Sequence, residues 1–182
     1  NVAVGHYALS SITSGDYNTV LGSNAGLSIT TGADNVVIGY LAGDTMTGTG
    51  NTVLIGKSAG QAINSTDSNY TIAIGFNALA NLTNGQNNIG IGGLTQTGIT
   101  TGDSNITIGY GTMDDFNAGT SSGNSSGNIA IGVSAMGGTA ADAASNDNIA
   151  IGTNTMAAAL NGALYNIAIG VTSLNDLSTG DR

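Results

Sequence analysis

A short apolar phrase ending in glycine returns ten times along the chain, at Gly5, Gly22, Gly39, Gly56, Gly75, Gly92, Gly109, Gly132, Gly152 and Gly170. The successive intervals are 17, 17, 17, 19, 17, 17, 23, 20 and 18 residues. A unit of that length cannot bury an apolar face alone, so neighbouring units must stack on one another as the coils of a solenoid. In eight of the ten copies an asparagine stands four places before the glycine: Asn1, Asn18, Asn35, Asn88, Asn105, Asn128, Asn148 and Asn166. The other two copies, around Asn51 and Asn69, keep an asparagine but add one or two residues.

Each unit reads as a strand followed by a return. The positions three and one before the glycine are Val2/Val4, Thr19/Leu21, Val36/Ile38, Val53/Ile55, Ile72/Ile74, Ile89/Ile91, Ile106/Ile108, Ile129/Ile131, Ile149/Ile151 and Ile167/Ile169. This alternation of β-branched residues is a strand signature, and these side chains are expected to face the coil interior. Seven places after the glycine a second apolar column runs through Ile12, Ile29, Met46, Ile63, Leu82, Ile99, Phe116 and Leu177, which predicts a second strand per coil. Small residues three places after the glycine, such as Ala25, Ala42, Ala59 and Ala78, suit a tight inward corner. Turns such as Thr13-Ser14-Gly15-Asp16 and Thr101-Gly102-Asp103-Ser104 lead back to the next asparagine, with glycine expected to supply a positive φ. The asparagines either stack as a hydrogen-bonded ladder or recur because asparagine suits a turn.

The fold class expected is therefore all-β: a repetitive β-solenoid of ten coils with two short strands per coil. Residues 1–182 form a single repeat domain, about 45–50 Å long at one strand spacing per coil. Because the first and last residues fall within the repeat pattern, the chain is expected to be an interior piece of a longer fibre chain. With 30 glycines and neither proline, cysteine nor tryptophan, a disulfide scaffold is excluded. All eleven acidic residues are aspartates, the only bases are Lys57 and Arg182, and the net charge is −9. Binding to nucleic acid, or to anionic membrane surfaces, depends on clustered cations that are lacking here.

The middle position of the first strand, two before the glycine, is uncharged throughout. It carries Ala3, Val20, Val37, Leu54, Ala73, Ala130, Ala150 and Ala168, with Gly90 and Thr107 between. If the flanking Val and Ile residues face inward, this column faces outward as a continuous apolar stripe. A strand apolar on both faces is normally covered on both, which makes the column an inter-chain stripe; small alanines that merely tolerate exposure are the plainer alternative.

The phrases Asn128-Ile-Ala-Ile-Gly132, Asn148-Ile-Ala-Ile-Gly152 and Asn166-Ile-Ala-Ile-Gly170 resemble the head repeats of trimeric autotransporter adhesins. They are still more similar to the longer repeats of bacteriophage tail fibres, where a turn such as Thr101-Gly102-Asp103-Ser104-Asn105 joins successive copies. The resemblance spans essentially the whole chain. It implies a left-handed β-roll, three parallel chains around one axis, and an extracellular place on a virion tail or bacterial surface. The function it implies is structural and adhesive: a stiff shaft that presents loops to a host glycan or protein receptor. A self-assembling extracellular filament is the alternative, and an ice-binding solenoid a more distant one.

Departures from the period mark where contacts with a receptor could be grafted. The longest interval holds Tyr110, Asp114, Asp115, Ser121 and Asn124, the candidate receptor-contact residues. Small polar residues also fill solvated loops that touch nothing. Asp114 and Asp115 are adjacent, so on a strand they would point to opposite faces, a poor arrangement for paired-carboxylate hydrolysis. The single histidine, His6, makes neither a triad nor a metal site, and the aspartates follow no calcium-loop spacing. No enzyme activity, cofactor or metal is therefore expected. The pairs Ser11/Thr13, Ser28/Thr30 and Thr45/Thr47 look like an ice-binding face for three coils, but the pattern decays through Ala62/Asn64 to Asp115/Asn117.

Overall fold

The computed structural model describes residues 1–64, 68–114, 124–139 and 143–179. It contains ten three-residue strands: β1 (Val2–Val4), β2 (Thr19–Leu21), β3 (Val36–Ile38), β4 (Val53–Ile55), β5 (Ile72–Ile74), β6 (Ile89–Ile91), β7 (Ile106–Ile108), β8 (Ile129–Ile131), β9 (Ile149–Ile151) and β10 (Ile167–Ile169). They form one parallel sheet in chain order, and equivalent residues pair at every step, from Val2 with Thr19 to Ile149 with Ile167. The chain is thus a β-solenoid. Ile106 pairs with Ile129 in the same register although this interval is the longest, so the inserted residues leave the sheet untouched.

Among the described residues each coil has one strand, not two. The expected second-strand column does turn inward, with Ile29, Met46, Ile63, Leu82 and Ile99 fully buried and Ile12 and Leu177 packed against them; Phe116 lies outside the described residues. Turns carry these residues because the backbone there alternates in hand. In the coil built on Gly75, φ is 138° at the glycine, 52° at Asn77 and 53° at Leu79, after 59° at Tyr70. Such alternation curls the chain tightly and prevents an extended segment. Coil-to-coil hydrogen bonds persist around the curl, as in Leu79 N–H to Thr95 O at 2.9 Å and Thr30 N–H to Thr47 O at 2.9 Å.

The repeated glycine is required for two reasons. Its φ of 124–140° is closed to ordinary residues, and a β-carbon on Gly5 would lie 2.5 Å from the carbonyl oxygen of Gly22. The turn glycines have a different cause from the one expected. Gly15, Gly32, Gly85 and Gly102 do not have positive φ, which falls two residues later on Tyr17, Asp34, Asn87 and Ser104. They are small for lack of room: a β-carbon on Gly85 would lie 2.7 Å from Leu82 Cδ1.

The ladder asparagines from Asn18 onward are buried and bonded from coil to coil, while Asn1 in the first coil is exposed. Asn35 donates from Nδ2 to Asn18 Oδ1 at 2.9 Å and to Thr49 O at 2.9 Å. Its own Oδ1 accepts from Thr52 N–H at 3.1 Å and Thr52 Oγ1 at 2.7 Å. The same pattern joins Asn88, Asn105, Asn128, Asn148 and Asn166. In the two irregular coils this position belongs to Thr52 and Thr71 rather than to the nearby asparagines. Asn51 instead occupies a positive-φ turn site, and Asn69 Oδ1 accepts from Gly50 N–H at 2.8 Å.

Alternation along the strand now decides what lies inside. The buried asparagine and the residue two places after it share one face, so the middle strand residue points into the coil. Val20, Val37, Leu54, Ala73, Gly90, Thr107, Ala130, Ala150 and Ala168 are all buried in the chain's own core. The expected inter-chain stripe is therefore an internal column, and only Ala3, in the first coil, is exposed. The Val and Ile residues on either side point outward.

Across the thin interior this column faces the residue four places after the glycine, and the two exchange volume. Where the strand carries Val20, Val37 or Leu54, the opposite residue is Gly26, Gly43 or Gly60. Where it carries Ala73, Ala130 or Ala150, the opposite residue is Leu79, Met136 or Met156, each fully buried. A β-carbon on Gly60 would lie 2.8 Å from Leu54 Cδ2, which shows the direct contact. One large side chain per pair fills the space, as close packing demands.

Two outcomes follow. Leu54→Ala should lose about 2–5 kcal/mol and Gly60→Leu alone should clash, whereas the double variant, which copies the Ala73/Leu79 pair, should recover more than about 1 kcal/mol of the summed loss. Denaturant unfolding of the four proteins measures this, and strict additivity would show that the residues do not share one space. Asn105→Ala should cost roughly 2–4 kcal/mol by orphaning the Asn128 N–H and removing the Nδ2 donor to Asn88 Oδ1. Asn105→Thr, which places at this level the residue type that Thr52 supplies in its own coil, should cost clearly less by the same assay.

Candidate functional site

The outward face of the sheet is the most distinctive surface of the molecule. Its two columns are the residues three and one before each glycine, and of these twenty side chains only Thr19 is polar. Val2 and Val4 are 59% and 56% exposed and Ile167 and Ile169 64% and 68%, whereas Ile91 and Ile108 in mid-sheet fall to 37% and 38%. The central members are half-covered because identical side chains stack above and below them in register. At nine strand spacings by two side chains, the columns have a flat footprint on the order of 400 Å². That is comparable to the largest apolar patch on a typical monomer, which is often functional.

The residue after each glycine extends this face at its rim. Tyr40, Phe76, Tyr110, Val133 and Val171 are exposed there, and Lys57 Nζ lies 5.7 Å from the centre of the Phe76 ring. Aromatic side chains are enriched at protein interfaces, and a lysine over a ring face gains a cation–π attraction. His6 stands in the same column at the first coil, its ring 4.0 Å from that of Tyr7.

Three of the candidate receptor-contact residues, Tyr110, Asp114 and Asn124, are among the described residues. Tyr110 belongs to the sheet rim, while Asn124 accepts a hydrogen bond from Thr101 Oγ1 in the turn that leads into β7's coil. The Asp114 carbonyl accepts from Thr97 Oγ1 at 2.7 Å. Asp115 and Ser121 lie outside the described residues. Among the described residues no group of three or more His, Asp or Glu comes together, and no helix is long and apolar enough to cross a membrane.

On the turn side, threonine hydroxyls serve the stack. Thr13, Thr30 and Thr83 each donate from Oγ1 to a carbonyl of the next coil, at 2.9, 3.2 and 2.9 Å. One carboxylate on this side is uncomfortable. Asp44 Oδ1 is buried without a hydrogen-bond partner, and desolvation raises its pKa above 3.8 despite hydrogen bonds with Gln61 and the local backbone.

Comparison of the chain with protein-family models, with curated proteins and with solved structures finds no match.

The outward face was within reach of the sequence through the asparagine. A residue four before the glycine has the same parity as the one two before it, so a buried asparagine ladder places Ala and Val inside and Ile outside.

Because the folded Asp44 holds its proton more tightly than the unfolded chain does, stability decreases as pH rises from 3.8 through the folded value. Asp44→Asn should therefore be more stable than the parent at neutral pH, with the gap closing as the pH falls through the folded value and closed by about 4. Paired thermal melts across this range test it; a gap independent of pH would remove desolvation as its cause.

Proposed function

We propose that the chain is a structural and adhesive segment of a homotrimeric extracellular fibre, of the tail-fibre or adhesin-head kind its repeats resemble. The observation that carries this reading is the outward Val/Ile face. Three parallel copies would turn these faces toward a common axis, where equivalent residues meet level by level. That arrangement removes the apolar columns from water along the whole rod and leaves the threonine- and asparagine-rich turns outside.

Mechanically, such an assembly is stiff for two reasons. Each chain is tied along its axis by backbone and asparagine ladders, and the three chains are tied laterally by apolar burial. Adhesion to a host glycan or protein would fall to the outer turns and inserted loops. The acidic surface, at −9 per chain, keeps neighbouring fibres apart.

The solution mass decides the matter. Light scattering on the eluted protein should give three times 17.7 kDa, and Ile91→Lys with Ile108→Lys should yield a folded monomer, since six lysines cannot be desolvated together at the axis. A monomeric parent at tens of micromolar would overturn the reading, and a stable dimer would overturn the threefold arrangement.

A further inference from the structure

The core changes character at one level. In the sixth and seventh coils the apolar columns give way to Thr95, Gln96, Thr107 and Thr112, all fully buried, beside Gly90, which has no side chain to offer. Gln96 is anchored by one end of its amide: Nε2 donates to Thr107 Oγ1 at 2.9 Å and to Ile89 O at 3.1 Å. Thr107 Oγ1 in turn donates to Ile89 O at 3.2 Å. The other end, Gln96 Oε1, is buried with no protein partner, and so are Thr95 Oγ1 and Thr112 Oγ1.

These three atoms belong to one neighbourhood. Thr95 and Thr112 occupy the same inward corner of successive coils, held together by Gln96 N–H to Thr112 O at 2.8 Å. Thr95 Oγ1 lies 2.8 Å from where a β-carbon on Gly90 would stand, and Gly90 follows Ile89, whose carbonyl anchors Gln96. Two hydroxyls that can each donate one proton thus share a level of the core with a carbonyl oxygen whose lone pairs are free. Leaving three buried polar atoms uncompensated costs more than immobilising one water, and a buried water characteristically takes about three such partners.

We propose that this level of the core is a binding site for one internal water molecule, bridging Thr95 Oγ1, Thr112 Oγ1 and Gln96 Oε1 between the sixth and seventh coils. The ligand set is neutral and all oxygen, which suits water. Asn24 Oδ1 and Asp44 Oδ1 are also unpartnered, but they belong to the second and third coils, away from this level.

A high-resolution crystal structure of the parent protein is the test. The expected result is one spherical density within about 2.7–3.2 Å of all three oxygens. Oxygen-17 relaxation dispersion should then count one fewer long-lived water in the Thr95→Val, Gln96→Met, Thr112→Val variant, a replacement guided by Met113, Met136 and Met156 in the following coils. No density, with the threonine hydroxyls turned to bond Gln96 Oε1 directly, would overturn the proposal. Density at cation distances of about 2.4 Å would overturn it as well. Should the triple variant fail to fold, the parent structure still decides.

Discussion

Everything in this solenoid depends on how closely one coil approaches the next at the repeated glycine. There the backbones leave no space for a β-carbon, since one on Gly22 would lie 2.5 Å from Gly39 O. A contact so close tolerates no slippage, so each coil must lie in register on its neighbour. Identical positions then stack in columns, and each column becomes a ladder of one chemistry: amide on amide, isoleucine on isoleucine. The spacing along the chain is free to vary, because the anchor is spatial. Asn128 bonds to Asn105 across 23 residues as Asn35 bonds to Asn18 across 17.

The asparagine ladder supplies the second constraint. Its amides are removed from water yet bonded at both ends, which is the condition under which buried polar groups support a structure. They also set the facing of the strand. With the asparagine inside, the third residue along is inside too, and the interior must accommodate one strand side chain per coil. The opposite residue, four after the glycine, fills whatever space remains. This explains why the core reads as poor in large residues: outside the polar sixth and seventh levels, each level holds one Leu, Met or Val against one Gly or Ala.

Most of the architecture was legible because it is written ten times. The glycine column, the strand positions, the parallel stacking and the inward column from Ile12 to Ile99 all follow from periodicity. Two features were not. Period-two alternation separates two faces without saying which is inner, and the larger residues suggested the wrong one; the asparagine parity and the Leu54/Gly60 exchange carry the missing information. The second strand was also misread, because an apolar column in turns and one in a strand look alike when each coil contributes a single residue. The positive φ at both Asn77 and Leu79, on either side of Ala78, is a property of the backbone that no side-chain pattern announces. The polar level around Gln96 was legible only as a break in two columns, since its meaning depends on which atoms lack partners.

Strand propensity alone does not account for the outer face. Threonine forms strands as readily as valine and is well hydrated, and it is abundant elsewhere in this chain, yet of the twenty outward strand positions it holds one, Thr19. The thin core does not use these side chains either, because they point away from it. A chain that keeps threonine for its turns and places isoleucine on the open face of its sheet supports the proposed assembly, in which that face is covered. In-register stacking makes the face a continuous ribbon instead of scattered spots, so a covering surface must match it along the whole rod. A second or third copy of the same ribbon, carrying the same columns at the same spacing, meets that requirement without any further design.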